Sequence, residues 1–153
     1  MAQAIVDQPP RAAIATIDSA LHSGLIAEHE LDRVFDIVPL RLHKLRNLVD
    51  GRAESGPETL ARLIARSFGV PVELQVTVDG VGRADLLVDG WIIVECDSRQ
   101  FHGGWEQQER DRSRDMGYAA HGYTPIRPTA NLLCTRPDIF RGALAGLLRR
   151  GRA

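Results

Sequence analysis

Lysine is almost missing from this chain: among 19 basic residues only Lys44 is a lysine, and the rest are arginines. No site outside the N-terminal part can therefore rely on an ammonium group. Net positive charge is missing too, with a formal charge of -1 and a pI near 6.5. That excludes binding to DNA through net charge alone, so any such binding must come from local geometry or a metal. Cysteine is scarce. Cys96 and Cys134 lie in apolar contexts without partner spacing for zinc, which argues against a metal finger or a disulfide framework. No apolar run approaches the length of a membrane span, and nothing before Arg11 has the charged-then-apolar pattern of an export signal. A reducing cytoplasm is the expected location. Internal repeats and low-complexity segments are absent as well.

What is present suits one globular domain. The 153 residues, 44% hydrophobic and 25% charged, are enough to bury a single core but leave no room for a second large domain. Residues 1–10, ending in Pro9-Pro10, read as a flexible tail. Residues 11–50 read as a helical N-terminal segment with three apolar stripes at three- and four-residue steps: Ile14, Ile17, Leu21 and Leu25, then Leu31, Val34, Phe35 and Val38, then Leu42, Leu45 and Val49. A polar, turn-rich stretch leads to a third region, residues 55–150.

That region opens with Ser55-Gly56-Pro57-Glu58, a helix start with serine at the cap and glutamate three residues on. Leu60, Leu63, Ile64 and Phe68 form one face of the helix, and Gly69 stops it. Strands are expected over 72–78, 83–88 and 91–96, with a hairpin at Asp89-Gly90. A polar helix follows over about 105–120, then an edge strand over 123–129 limited by Pro125 and Pro128. A last amphipathic helix is expected after Thr135-Arg136-Pro137-Asp138. The order predicts an α/β fold, a mixed sheet flanked by helices and preceded by a short helical segment.

Four carboxylates are candidates for one site: Glu58, Asp85, Glu95 and Asp97. Glu95 and Asp97 share a face if the strand runs through both. Whether Asp85 joins them depends on the hairpin. A two-residue Asp89-Gly90 turn places Asp85 opposite Val94, on the other face from Glu95. A three-residue loop with Gly90 in the left-handed conformation brings Asp85 and Glu95 together, and this is the register expected here. Phosphodiester hydrolysis calls for a hard divalent cation held by one or two carboxylates, with water and the substrate phosphate completing its shell. Such an ion also makes neighbouring acids in an apolar strand favourable. Each residue has a plainer reading beside this one. Glu58 fits a capping box equally well, Asp85 a solvent-facing strand position, Glu95 and Asp97 a strand leaving the core, and His102 an ordinary loop histidine. The charges of the 105–120 helix fit a solvated face laced with ion pairs, or Arg110 and Arg114 as phosphate contacts with Asp111 orienting His102.

Taken in order, these blocks resemble the PD-(D/E)XK nuclease superfamily, in its very-short-patch-repair-like branch. The resemblance runs from Ser55 to Arg150. It rests on Ser55-Gly-Pro-Glu58, Arg83-Ala-Asp85-Leu, Val94-Glu95-Cys-Asp97-Ser-Arg-Gln-Phe-His102, Arg110-Asp111-Arg-Ser-Arg114-Asp115 and Ile126-Arg127. It implies a restriction-endonuclease-like fold that cleaves or nicks DNA with Mg²⁺ or Mn²⁺. Asp85 and Glu95 would hold the ion, Glu58 and Asp97 would support it, and His102 would move a proton. Arg99, Arg114 and Arg127 would contact backbone phosphate. The superfamily's lysine, two residues after the strand-three acid, is Asp97 here, and its usual glycine is Ser98. A catalytically silent module binding nucleic acid or a protein partner is the alternative, and the helical N-terminal segment is a candidate surface for a partner or a homodimer.

Overall fold

The computed structural model describes residues 1–97 and 105–151. Four strands form one sheet in the order β1 (Val72–Val78), β2 (Gly82–Val88), β3 (Ile92–Val94) and β4 (Thr124–Ile126). The first two pairings are antiparallel and the third is parallel, so the sheet is mixed. Among the described residues seven α-helices surround or precede it: α1 (Ala2–Asp7), α2 (Pro10–His22), α3 (Leu31–Asp36), α4 (Gly56–Arg66), α5 (Trp105–Ala120), α6 (Ala130–Thr135) and α7 (Pro137–Arg150). Two 3-10 segments, Glu28–Glu30 and Leu40–Leu48, complete the N-terminal part.

Both faces of the sheet are covered, which is why residues 86–88 of β2 and all of β3 are apolar rather than alternating. On one face Leu74, Leu86, Val88, Ile92 and Val94 pack with Ala61, Ile64 and Ala65 of α4, Leu133 of α6, and Phe140 and Leu144 of α7. On the other, Leu87 and Ile93 pack with Tyr118 of α5. Helix α5 lies close to the hairpin between β1 and β2 because Gly117 has no side chain: a Cβ there would stand 3.0 Å from both methyls of Val81. No helix is long and apolar enough, among the described residues, to cross a membrane.

The N-terminal part differs from the sequence-based expectation at both ends. Residues 1–10 are no loose tail, because α1 buries Ile5 against Ile14, Ile17 and Leu31. Leu25 does not extend the first stripe. Helix α2 ends at His22, Gly24 turns at φ +71°, and Leu25 is left 79% exposed. The segment is fastened to α4 by Asp18 and Arg62, whose side chains are 0% and 1% exposed. Asp18 accepts from Arg62 Nη2 (2.7 Å), Thr59 Oγ1 (2.7 Å) and the Asp50 amide (2.8 Å), and Arg62 also donates to Leu48 O. Burial pushes the Asp18 carboxyl upward, and these donors pull it back.

Near the C-terminus, Thr129 caps the short α6, accepting from the Leu132 amide, an element absent from the sequence-based expectation. Thr135 consequently ends α6 and does not cap α7, whose N-cap is Arg136. Its hydroxyl donates back to Asn131 O.

Candidate active site

The hairpin after β2 has the three-residue loop that the site requires. Asp89 and Gly90 are both left-handed, at φ +54° and +71°, and Trp91 closes the loop by donating its amide to Val88 O and its indole N–H to Asp89 Oδ2. Pairing then runs Val88 with Ile92, Leu87 with Ile93 and Leu86 with Val94. The pairing stops there, one step short of Asp85 and Glu95. Both line a polar cleft of about 190 Å³ with Asp97, Asp111, Arg114 and Arg127.

The cleft exists because β2 and β3 part after Leu86 and Val94, and side chains fill the gap in the ladder. The Cys96 amide, with no strand carbonyl to meet, donates to Asp85 Oδ2 at 2.7 Å. Across the gap, Arg83 O accepts from Arg114 Nη2, also at 2.7 Å. The same Nη2 reaches Glu95 Oε1 (2.7 Å), which also accepts from the Tyr118 hydroxyl (2.7 Å). On its far side the chain stays beside β4. Glu95 and Asp97 donate their amides to Ile126 O and Pro128 O, and Asp97 bridges Thr129. That keeps Glu95 and Asp97 on one wall, with Glu95 buried and Asp97 exposed.

Burial dominates the electrostatics. It pushes Asp85 up to about 6, with the Cys96 amide opposing and the charge of Glu58 adding to the rise. Glu95 is raised by burial too, opposed by the bonds from Tyr118 and Arg114. The Tyr118 phenol is driven up to about 12 by burial and by its bond to Glu95. Burial and the charges of Asp85, Glu58 and Glu95 push the Cys96 thiol up and favour its protonated form.

The other expected residues are distributed as follows. Glu58 sits in the first turn of α4, where its amide donates to the hydroxyl of the Ser55 cap. Its Oε1 accepts from Ser55 Oγ and its Oε2 from the Glu54 amide, each bond a reason for it to sit where it does without any ion. Arg127 is a half-buried strut, its Nε shared between both oxygens of Asp115 (2.8 and 3.0 Å). Arg110 lies on the solvated face, donating to Gln107. Arg99 and His102 lie outside the described residues. Among the described residues no group of three or more His, Cys, Asp or Glu side chains is arranged to hold a metal ion.

Gln107, which lines the cleft, was not expected from the sequence, nor were Tyr118, bonded to Glu95, and Gln75, bonded to Glu58. Tyr118 follows Arg114 by one helical turn, a spacing that could have revealed it. Gln75 gave no such signal. It adopts φ +56° in the middle of β1, which costs a non-glycine residue ~1 kcal/mol. Its Nε2 donates to Glu58 Oε2 at 2.8 Å.

Two uncharacterized proteins of Mycobacterium tuberculosis, from strains CDC 1551 and H37Rv, are each 31% identical to the chain over 156 residues, 94% of this chain and 56% of theirs. The chain thus spans about half the length of the curated relatives it matches. No family model matches it, and no solved structure matches it significantly.

Proposed function

We propose that the chain is a metal-dependent endonuclease or nickase that hydrolyses phosphodiester bonds in DNA, with a restriction-endonuclease-like core. One observation carries this reading: a three-residue hairpin loop brings Asp85 and Glu95, from different strands, to one polar cleft. The donor chemistry fits Mg²⁺ or Mn²⁺, since carboxylate oxygens suit hard cations and Mg²⁺ needs only one or two from protein. Asp85 and Glu95 are the ligands, with Asp97 in reach on the same wall. Glu58, held in its cap, supports the site from outside. When bound, the ion polarises the phosphoryl group and lowers the pKa of the attacking water.

The chain's own residues do the rest. Asp85 must be ionised to bind, so binding strengthens as pH rises through about 6. Arg114, at the rim, exchanges part of its bond to Glu95 for a phosphate oxygen, and Arg127 adds positive charge. Arg99 and His102 keep the roles that the resemblance implies, as phosphate contact and proton carrier. A cytoplasmic location is consistent with both cysteines being free thiols. The test is supercoiled plasmid incubated with the full chain in Mn²⁺ or Mg²⁺. Nicking or linearisation that chelator stops and Asp85→Ala abolishes is expected, and equal cleavage by the variant refutes the reading.

A specific feature favours a second reading, a catalytically inactive module that binds nucleic acid or a protein partner in a repair or antitoxin-like system. Arg114 already neutralises Glu95, and Arg127 is committed to Asp115. Thermal unfolding with and without Mn²⁺ separates the two. A cation site raises the midpoint and an inert module does not respond.

A further inference from the structure

We propose that Gln75 is a positioning residue for the site, and that Glu58 acts through it: the left-handed backbone of Gln75 releases β2 at Asp85, so that the Asp85 carboxylate crosses to the Cys96 amide. This assignment rests on the proposed role of Asp85.

The ladder between β1 and β2 carries the argument. It pairs Leu74 with Leu86 and Val76 with Ala84, but the step between them, Gln75 opposite Asp85, is not paired. At that step Gln75 has φ +56°. In regular antiparallel structure two directly opposed residues project on the same face, side by side. Here their side chains go to different partners, Gln75 to Glu58 Oε2 and Asp85 to the backbone of Cys96. Asp85 is therefore where β2 is out of register contact with both neighbours, since the β2 to β3 pairing ends at Leu86.

Nothing in the local sequence favours the left-handed conformation at Gln75, which is neither glycine nor asparagine. What holds it is the hydrogen bond that its side-chain amide donates to a carboxylate buried to 5% exposure and fixed by the Ser55 hydroxyl and the Glu54 amide. The buried glutamate of α4 thus reaches the cleft through a strand, with no direct bond to Asp85.

The experiment uses the full chain and reads hydrogen exchange at the Cys96 amide, which reports the bond to Asp85 whether or not the protein cleaves DNA. Gln75→Gly and Gln75→Asn tolerate the left-handed backbone, so both should keep Cys96 protection within about threefold of wild type. Gln75→Val, β-branched and unable to hold that conformation, should lose it by at least about tenfold while the amides of Leu87 and Ile93 stay protected. If Gln75→Val does not fold, Gln75→Ala takes its place with a loss in the same direction. Unchanged Cys96 protection in the Val or Ala variant overturns the proposal, as does equal loss in Gly, Asn and Val. In plasmid cleavage the same series should lower kcat for Val and spare it for Gly. Absent cleavage by wild type would refute the nuclease reading while the amide readout still decides the role of Gln75.

Discussion

Two arginine–carboxylate pairs hold this molecule, one buried and one at a cleft, and they are built differently. Arg62 and Asp18 are sealed between α2 and α4, with both carboxylate oxygens engaged by three donors. Arg114 and Glu95 meet at a cleft. Glu95 is 8% exposed and its arginine 34%, and both contacts crowd onto Oε1 while no described donor reaches Oε2. A pair shut from solvent with its carboxylate saturated can only fasten two elements, even though Arg62 Nε and Nη1 find no partner. One with an oxygen and a guanidinium edge left toward a polar cleft can exchange partners, which is what a binding site needs.

The sharpest break of that comparison is Arg62→Ala. It strands Asp18 in the core and should cost about 3–5 kcal/mol in urea unfolding, while Asp18→Leu with Arg62→Met should recover most of the loss. Next comes Gly117→Val, which drives α5 off Val81 and should cost about 1–3 kcal/mol. Its effect should fall on the open pair, seen as faster exchange near Tyr118 with the Asp18 contacts intact. Arg114→Ala should cost only about 1 kcal/mol, because its charge is partly solvated and Tyr118 still serves Glu95. A loss as large as that of Arg62→Ala would make the two pairs equivalent and remove the distinction.

The last break is one of pH and acts on the cleft alone. Asp85 has a folded pKa of about 6 against an ordinary value of 3.8, so the folded chain holds this proton more tightly than the unfolded one. The stability due to protonation is full below the ordinary value and is lost as pH rises through about 6. Wild type should therefore weaken relative to Asp85→Asn between about pH 4 and pH 7, and a bound dication should erase the difference. A constant offset across that range would show that Asp85 is not perturbed.

Much of this architecture was legible in the residues. The apolar runs of β2 and β3 and the glycine at 90 defined the strands and the loop parity, because one residue more or less inverts every side chain beyond the turn. The cap at Ser55 and Glu58 was legible for the same local reason. Both Asp18 and Arg62 escaped notice, since their pairing joins elements far apart in the chain and nothing local distinguishes them from surface charges. Gln75 escaped because its conformation is imposed by Glu58 and not by its own type. Helix α1 was hidden behind Pro9-Pro10, a break that separates two helices here and not a tail from a body.

That the cation beside Glu95 is an arginine has a consequence for how the cleft responds to pH. Burial works against the charge of Arg114, but the Tyr118 hydroxyl and the charges of Glu95 and Asp85 raise its pKa overall, so it never serves as an acid. Tyr118 and Cys96 keep their protons as well. The three groups packed around Glu95 are therefore fixed in state well above neutrality. Among the described groups of the cleft, the response to pH then falls to the carboxylates Asp85 and Glu95.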